Sequence, residues 1–197
     1  DEQYGRHIAD LLVKAMGTDK GDYAIVTGGL SAANLNGWIK YAQQEVKDKY
    51  PGLHLVTDKI GTDEKQQVAY QKTLDLLKAY PNLKGIMGFS TVAPLGAAQA
   101  VKAQGLQDKV SVVGTALPKD SLPFLKDGSL DAATLWDPSK LGYLTVALAK
   151  DLVEGKKPTD GQDVPNVGKI TVKSDGKTVI MGPPTDFTKD NAANYNF

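Results

Sequence analysis

The residues best suited to chemistry are Trp136 and Asp137, adjacent at the end of a short apolar run. A carboxylate there can accept paired hydrogen bonds from vicinal hydroxyls, and an indole ring can pack on the apolar face of a sugar. The same pair has a purely structural reading, with Asp137 capping a helix that begins at Pro138 and Trp136 in the core. Asn34 and Asn36 pose a similar choice. Amides in a helix's first turn often act as caps, yet an amide offers a sugar hydroxyl both a donor and an acceptor. From the residues alone, both readings stay open.

Other chemistries find less support. His7 falls in an expected helix and His54 in an expected strand, and neither has an Asp/Glu/His cluster at metal-ligand spacing around it. Ser31 and Ser90 lack a nucleophile-elbow pattern. Gly28-Gly29 follows a strand, but TGGLSAANLNGW carries neither the Walker lysine–hydroxyl pair nor the full dinucleotide glycine pattern, so it reads as a tight loop. The chain has no cysteine, which excludes thiolate catalysis, disulfides and cysteine-ligated metals. The expectation is a non-enzyme without cofactor or metal.

Composition narrows the partners. With 41% hydrophobic and 23% charged residues, the 197-residue chain is globular rather than disordered. Formal net charge is zero and no dense Lys/Arg stripe is present, which argues against nucleic acid. No apolar run approaches the ~20 residues that span a bilayer. The chain begins at Asp1 without a methionine or signal-like segment, so a mature, trimmed or truncated polypeptide is expected.

The elements that position these residues centre on KGIMGFSTVAPLGAAQAVKAQG, Lys84 to Gly105. Gly85 to Phe89 suits one buried strand. Ser90 and Thr91 stand where a helix cap is needed, and a small-residue helix from Ala93 to Gln104 ends at Gly105. A second apolar run, Val110 to Gly114, leads into Thr115 and Ala116. Strands apolar throughout belong in a parallel sheet covered on both faces. Ligands collect where such strands end and helices begin, here around Phe89-Ser90-Thr91 and Thr115-Ala116.

The rest of the chain extends this pattern. Helices are expected over Gln3–Met16, Ala32–Lys49, Asp63–Ala79, Ser121–Lys126 and Lys140–Glu154, and strands over Tyr23–Val26, Leu53–Asp58 and Ala132–Trp136. Lys169–Val172 and Thr178–Met181 read as a hairpin, and Gly182–Phe197 as a polar tail draped over a surface. Alternating strands and helices define an α/β fold, a three-layer doubly wound sheet that is mostly parallel. The late helix and hairpin exceed what a five-stranded sheet needs, so they are expected to belong to a second lobe.

Several segments together resemble type I periplasmic sugar-binding proteins, the solute receptors of ABC importers. They are GWIKYAQQEVKDKYPGLHLV, LLKAYPNLKGIM, PLGAAQAVKAQG, VSVVGTA, LWDPSKLGYLTVALAKDLVEG, VPNVGKITV and FTKDNAANYNF. The resemblance covers nearly the whole chain and is nearest to the branch of the autoinducer-2 and rhamnose-type receptors. It implies two similar α/β, Rossmann-like lobes with the ligand in the cleft between them. Residues 3–134 would form the second lobe and residues 135–182 a crossover, helix and hairpin of the first. Residues 183–197 would return across the hinge, and the front part of the first lobe would lie outside this chain.

The resemblance implies ligand positions at Asn34, Leu35, Phe89, Ser90, Thr91, Ala116, Trp136 and Asp137. Where the autoinducer-2 receptor has an acid then an amide, this chain has Asn34-Leu35, and where it has proline and alanine, Phe89 and Thr91. Ribose-binding relatives have polar groups at the positions of Asn34, Ser90 and Asp137, and an aspartate at that of Ala116. A neutral sugar or polyol held by Asn34, Ser90 and Asp137 against Phe89 and Trp136 is therefore expected. The implied partners are this ligand and the membrane permease of an ABC importer, with a dimer or domain swap open to the truncated chain. The implied location is the periplasm, or the outside of a bacterial cell on a lipid anchor. The alternatives are an autoinducer-2-type signal receptor and the effector-binding domain of a sugar-responsive transcription regulator.

Overall fold

The computed structural model describes residues 1–197, the whole chain. Its main sheet is assembled from β1 (Lys20–Thr27), β2 (Gly52–Leu55), β3 (Ile60–Gly61), β4 (Leu83–Phe89), β5 (Ser111–Thr115), β6 (Ala132–Leu135) and, far along the chain, Thr185–Phe187. The order runs from Thr185–Phe187 through β6, β5, β4 and β1 to β2, and β3 also pairs with β1. The β1–β2, β1–β3, β1–β4, β4–β5 and β5–β6 pairs are all parallel. Val, Ile, Met and Ala fill β1, β4 and β5 without alternation, because both sheet faces are covered.

Helices α1 (Glu2–Met16), α2 (Ala33–Lys49), α3 (Gln66–Ala79), α4 (Ala93–Ala103) and α5 (Pro118–Asp127) supply the cover. Packing around β4 shows the layering. A Cβ built at Gly85 would meet Met16 and Leu12 of α1, whereas one at Gly88 would meet Pro94 of α4, 2.6 Å away. Positions 85 and 88 point to opposite faces of a strand, so α1 and α4 lie on opposite sides of the sheet. Packed beside them are α2 on α1 and α3 on α4. The three-layer, doubly wound architecture is as the sequence implied.

Three expectations need correction. The run after Leu53 is not one strand to Asp58: β2 stops at Leu55, and β3 forms separately after Lys59. The third helix starts at Gln66 rather than Asp63, because Asp63 and Glu64 have φ of 52° and 56°, outside the helical region. The tail is not merely draped. Its Thr185–Phe187 segment is an edge strand of the main sheet, Phe187 is fully buried, and a 3-10 turn follows at Ala192–Asn194.

The chain divides into two compact units, Asp1–Leu135 with Asp186–Phe197, and Trp136–Thr185. The second contains α6 (Pro138–Val153) and short strands β7 (Asp163–Val164), β8 (Gly168–Lys169), β9 (Thr171–Val172) and β10 (Val179–Ile180); Thr185–Phe187 is β11. β7–β8 and β9–β10 are antiparallel pairs, of which only the second was expected. Leu144, Val164 and Ile170 make a small core with Ala147, Leu148, Val167, Val179 and Met181 around it.

Candidate functional site

In the first unit, chain order reverses beside β1: the chain leaves to β2 and β3 on one side and returns to β4 on the other. Such a switch point opens a crevice at the strands' C-terminal ends, where open α/β sheets bind ligands. Here the Gly28 N–H donates to the Phe89 carbonyl at 2.9 Å, so the β1 loop is stitched to the end of β4. The Thr62 N–H donates to the carbonyls of Thr27 (2.9 Å) and Gly28 (3.0 Å), tying in the loop after β3. The hydroxyls of Thr27 and Thr62 are buried at this edge without a partner.

Two further strand ends are pinned from α1. The Tyr4 hydroxyl donates to the Thr134 carbonyl at 2.8 Å and lies 2.9 Å from the Thr115 hydroxyl. Burial pushes the Tyr4 phenol well above its ordinary value, so it stays a neutral donor. Tyr4 also packs edge-on against Trp38 of α2, ring centres 4.8 Å apart. A single α1 residue thus fixes the ends of β5 and β6 and the seat of α2. Its sequence signal is only that of an amphipathic helix, which does not reveal this role.

Asn34 lies in the first turn of α2 with its side chain exposed, and Ala32 occupies the cap position without a side-chain bond, so Asn34 is not a cap. Asn36 is already engaged: its amide nitrogen donates to the Leu30 carbonyl at 2.9 Å and its oxygen accepts from Lys59. Ser90 is only 6% exposed, and its oxygen accepts the Ala93 N–H at 3.3 Å. It holds a φ of 111°, a strained value for a serine of the kind that clusters at ligand clamps. Thr91 beside it is exposed.

Three expected contact side chains face inward instead. Leu35 is 5% exposed, and Phe89 and Ala116 are completely buried. Phe89 meets the β1 loop through its backbone carbonyl, while its side chain exposes no surface. Phe89 ends β4 and Ala116 follows β5, where the pleat decides which face a side chain takes, whereas Leu35 lies on the buried face of α2.

In the second unit, Trp136 and Asp137 are partly exposed. Asp137 caps α6, its Oδ1 accepting from the N–H groups of Ser139 (2.8 Å) and Lys140 (3.4 Å). The structural role weighed for Asp137 is therefore filled.

The profile of the periplasmic binding protein domain matches residues 1–157, and the chain belongs to that family, a family of binding proteins. A sugar ABC transporter protein from Actinomyces odontolyticus is 32% identical with a TM-score of 0.87, covering 100% of this chain and 64% of that one. A solute-binding protein from Clostridium phytofermentas with bound L-rhamnose is 30% identical with a TM-score of 0.83, covering 98% of this chain and 64% of that one. The D-apiose import binding protein of Actinobacillus succinogenes is 29% identical over 137 residues, 67% of this chain and 43% of its own length. The chain therefore spans less than two thirds of the length of each of these three relatives.

Proposed function

We propose that this chain is part of the substrate-binding component of an ABC importer, taking up a small neutral sugar or related polyol. The observation that carries this reading is the β1/β4 switch point in a member of the periplasmic binding protein family, where strand ends present neutral polar groups. Asn34 and Thr91 are exposed, and Ser90, next to Thr91, is held in strained geometry. Hydroxyl-rich ligands match such amide and hydroxyl groups. The proteins it resembles include a D-apiose import binding protein and a receptor solved with L-rhamnose.

In this reading residues 3–134 make up the second lobe, and the helix and hairpins after Leu135 belong to the first. Trp136 and Asp137 are the candidate ligand groups of the second unit, Asp137 through the carboxylate oxygen not used for capping. Binding is reversible and non-covalent, and hinge closure of two lobes follows because ligand contacts favour the closed state. The receptor is exported to the periplasm, or lipid-anchored outside the cell, and delivers its ligand to a membrane permease. No catalytic group takes part.

Thermal melts against L-rhamnose, D-apiose and other neutral aldoses and polyols test this. A ligand at a hundred times its dissociation constant adds ~2.7 kcal/mol, which is several degrees for a chain of this size. A shift confined to one sugar class supports the reading. A cooperative melt that no sugar moves contradicts it.

A further inference from the structure

Glu64 was not singled out by the sequence, and the loop that carries it is unusual. Asp63 and Glu64 are consecutive non-glycine residues with φ of 52° and 56°. Side chains rarely adopt that conformation, and it persists only where the surroundings impose it. Thr62 is anchored to Thr27 and Gly28 through its N–H, and its carbonyl accepts the Lys65 N–H at 3.0 Å, closing the turn around these two residues.

The result is a carboxylate laid against the β1 loop. Glu64 Oε1 accepts the Gly29 N–H at 3.1 Å. The three atoms nearest to a Cβ built at Gly28 are the two carboxylate oxygens and the carboxyl carbon of Glu64, all far too close for a side chain to coexist. Gly28 does not have a left-handed φ, so what glycine provides at this position is room for the carboxylate. Glu64 is exposed and in no ion pair, and its Oε2 has no partner within the chain. One oxygen is thus held by the backbone at the switch point while the other accepts nothing within the chain. The other strand-end residues of this unit, Asn34, Ser90, Thr91 and Ala116, are neutral.

We propose that Glu64, seated on Gly28-Gly29, is the charged hydroxyl acceptor of the binding surface and selects neutral polyols over anionic sugars. This rests on the sugar-receptor reading above. An oriented carboxylate makes stronger hydrogen bonds to hydroxyl donors than a neutral acceptor does. Its charge also opposes a sugar acid, as like-charge juxtaposition does at specific interfaces.

The test is an amide-resolved NMR titration of the wild-type chain and of Glu64→Gln, with L-rhamnose, D-apiose and galacturonate as probes. Glutamine keeps an oxygen for the Gly29 N–H, so the melt should be unchanged. The neutral sugar that binds should weaken by roughly tenfold or more, and the preference for it over galacturonate should shrink. Gly28→Ala, which must displace the carboxylate, should weaken the same sugar without adding to the loss in the double variant. Equal neutral-sugar affinity and equal discrimination in wild type and Glu64→Gln would overturn the proposal while leaving the receptor reading intact. Failure of wild type to bind either neutral sugar would instead count against the receptor reading, and this assignment would fall with it.

Discussion

Asp137 closes the first turn of α6 through Oδ1 and leaves Oδ2 unused by the cap. Removing the cap by Asp137→Ala should cost about 1 kcal/mol, read as a lower melting temperature, whereas Asp137→Asn should retain most of it. An alanine variant as stable as wild type would show that the cap is dispensable. Gly88→Ala would place a methyl against Pro94 of α4, and overpacking of this kind costs about 1–3 kcal/mol. At this scale the sequence was legible where a residue's type implies its partner, as with Asp137 before a proline. It was silent on Tyr4 and Glu64, whose partners lie more than thirty residues away. It also could not show that Asn36 would be consumed by Lys59 and Leu30 while Asn34 stayed exposed.

Among the elements, β11 is held by contacts that no local pattern announces. Phe187 is fully buried and stacks edge-on with Tyr195 at 4.9 Å, so Phe187→Ala should cost about 3–5 kcal/mol in a denaturant melt. Next to it, Asp186 Oδ1 lies 2.6 Å from His7 Nε2 of α1. The Asp186 carboxylate raises the His7 pKa above its ordinary 6.5. Burial pushes Asp186 up, but the bonds from His7 and Thr134 outweigh it and hold the carboxyl below 3.8. His7 therefore adds stability in full below pH 6.5, lost as pH rises through its raised value. Asp186 adds stability in full above 3.8, lost as pH falls through its depressed value. The tether is strongest between those limits. Asp131, raised to about 6 by burial, weakens the fold in the same direction as pH rises. Melts from pH 5 to 9 should thus fall on the alkaline side, and His7→Gln should remove part of that fall. An identical pH profile in the variant would refute the tether. The long strands and helices were legible because their apolar runs or periodicity are local. The two-residue β3, the β7–β8 pair and β11 were not, because strands so short are defined by the partner they meet rather than by their own residues.

For the molecule as a whole, the division at Leu135/Trp136 leaves α6 in the smaller unit with an apolar outer face. Leu141, Tyr143, Val146, Leu152 and Val153 are all exposed, Val153 at 89%. Substitutions at such positions ordinarily change stability by less than about 0.5 kcal/mol, so Val146→Glu should leave the melt unchanged. If this face mediates self-association of the chain, as exposed apolar patches often do, the same variant should lower the sedimentation coefficient measured at high protein concentration. The proposed sugar-binding surface around Gly28, Asn34 and Ser90 is tested by an amide-resolved NMR titration of this chain with L-rhamnose and D-apiose. Saturable shifts for one of them should concentrate at Gly28–Asn34, Thr62–Glu64 and Ser90–Val92. Shifts that centre elsewhere, or spectra unchanged by either sugar, would contradict it.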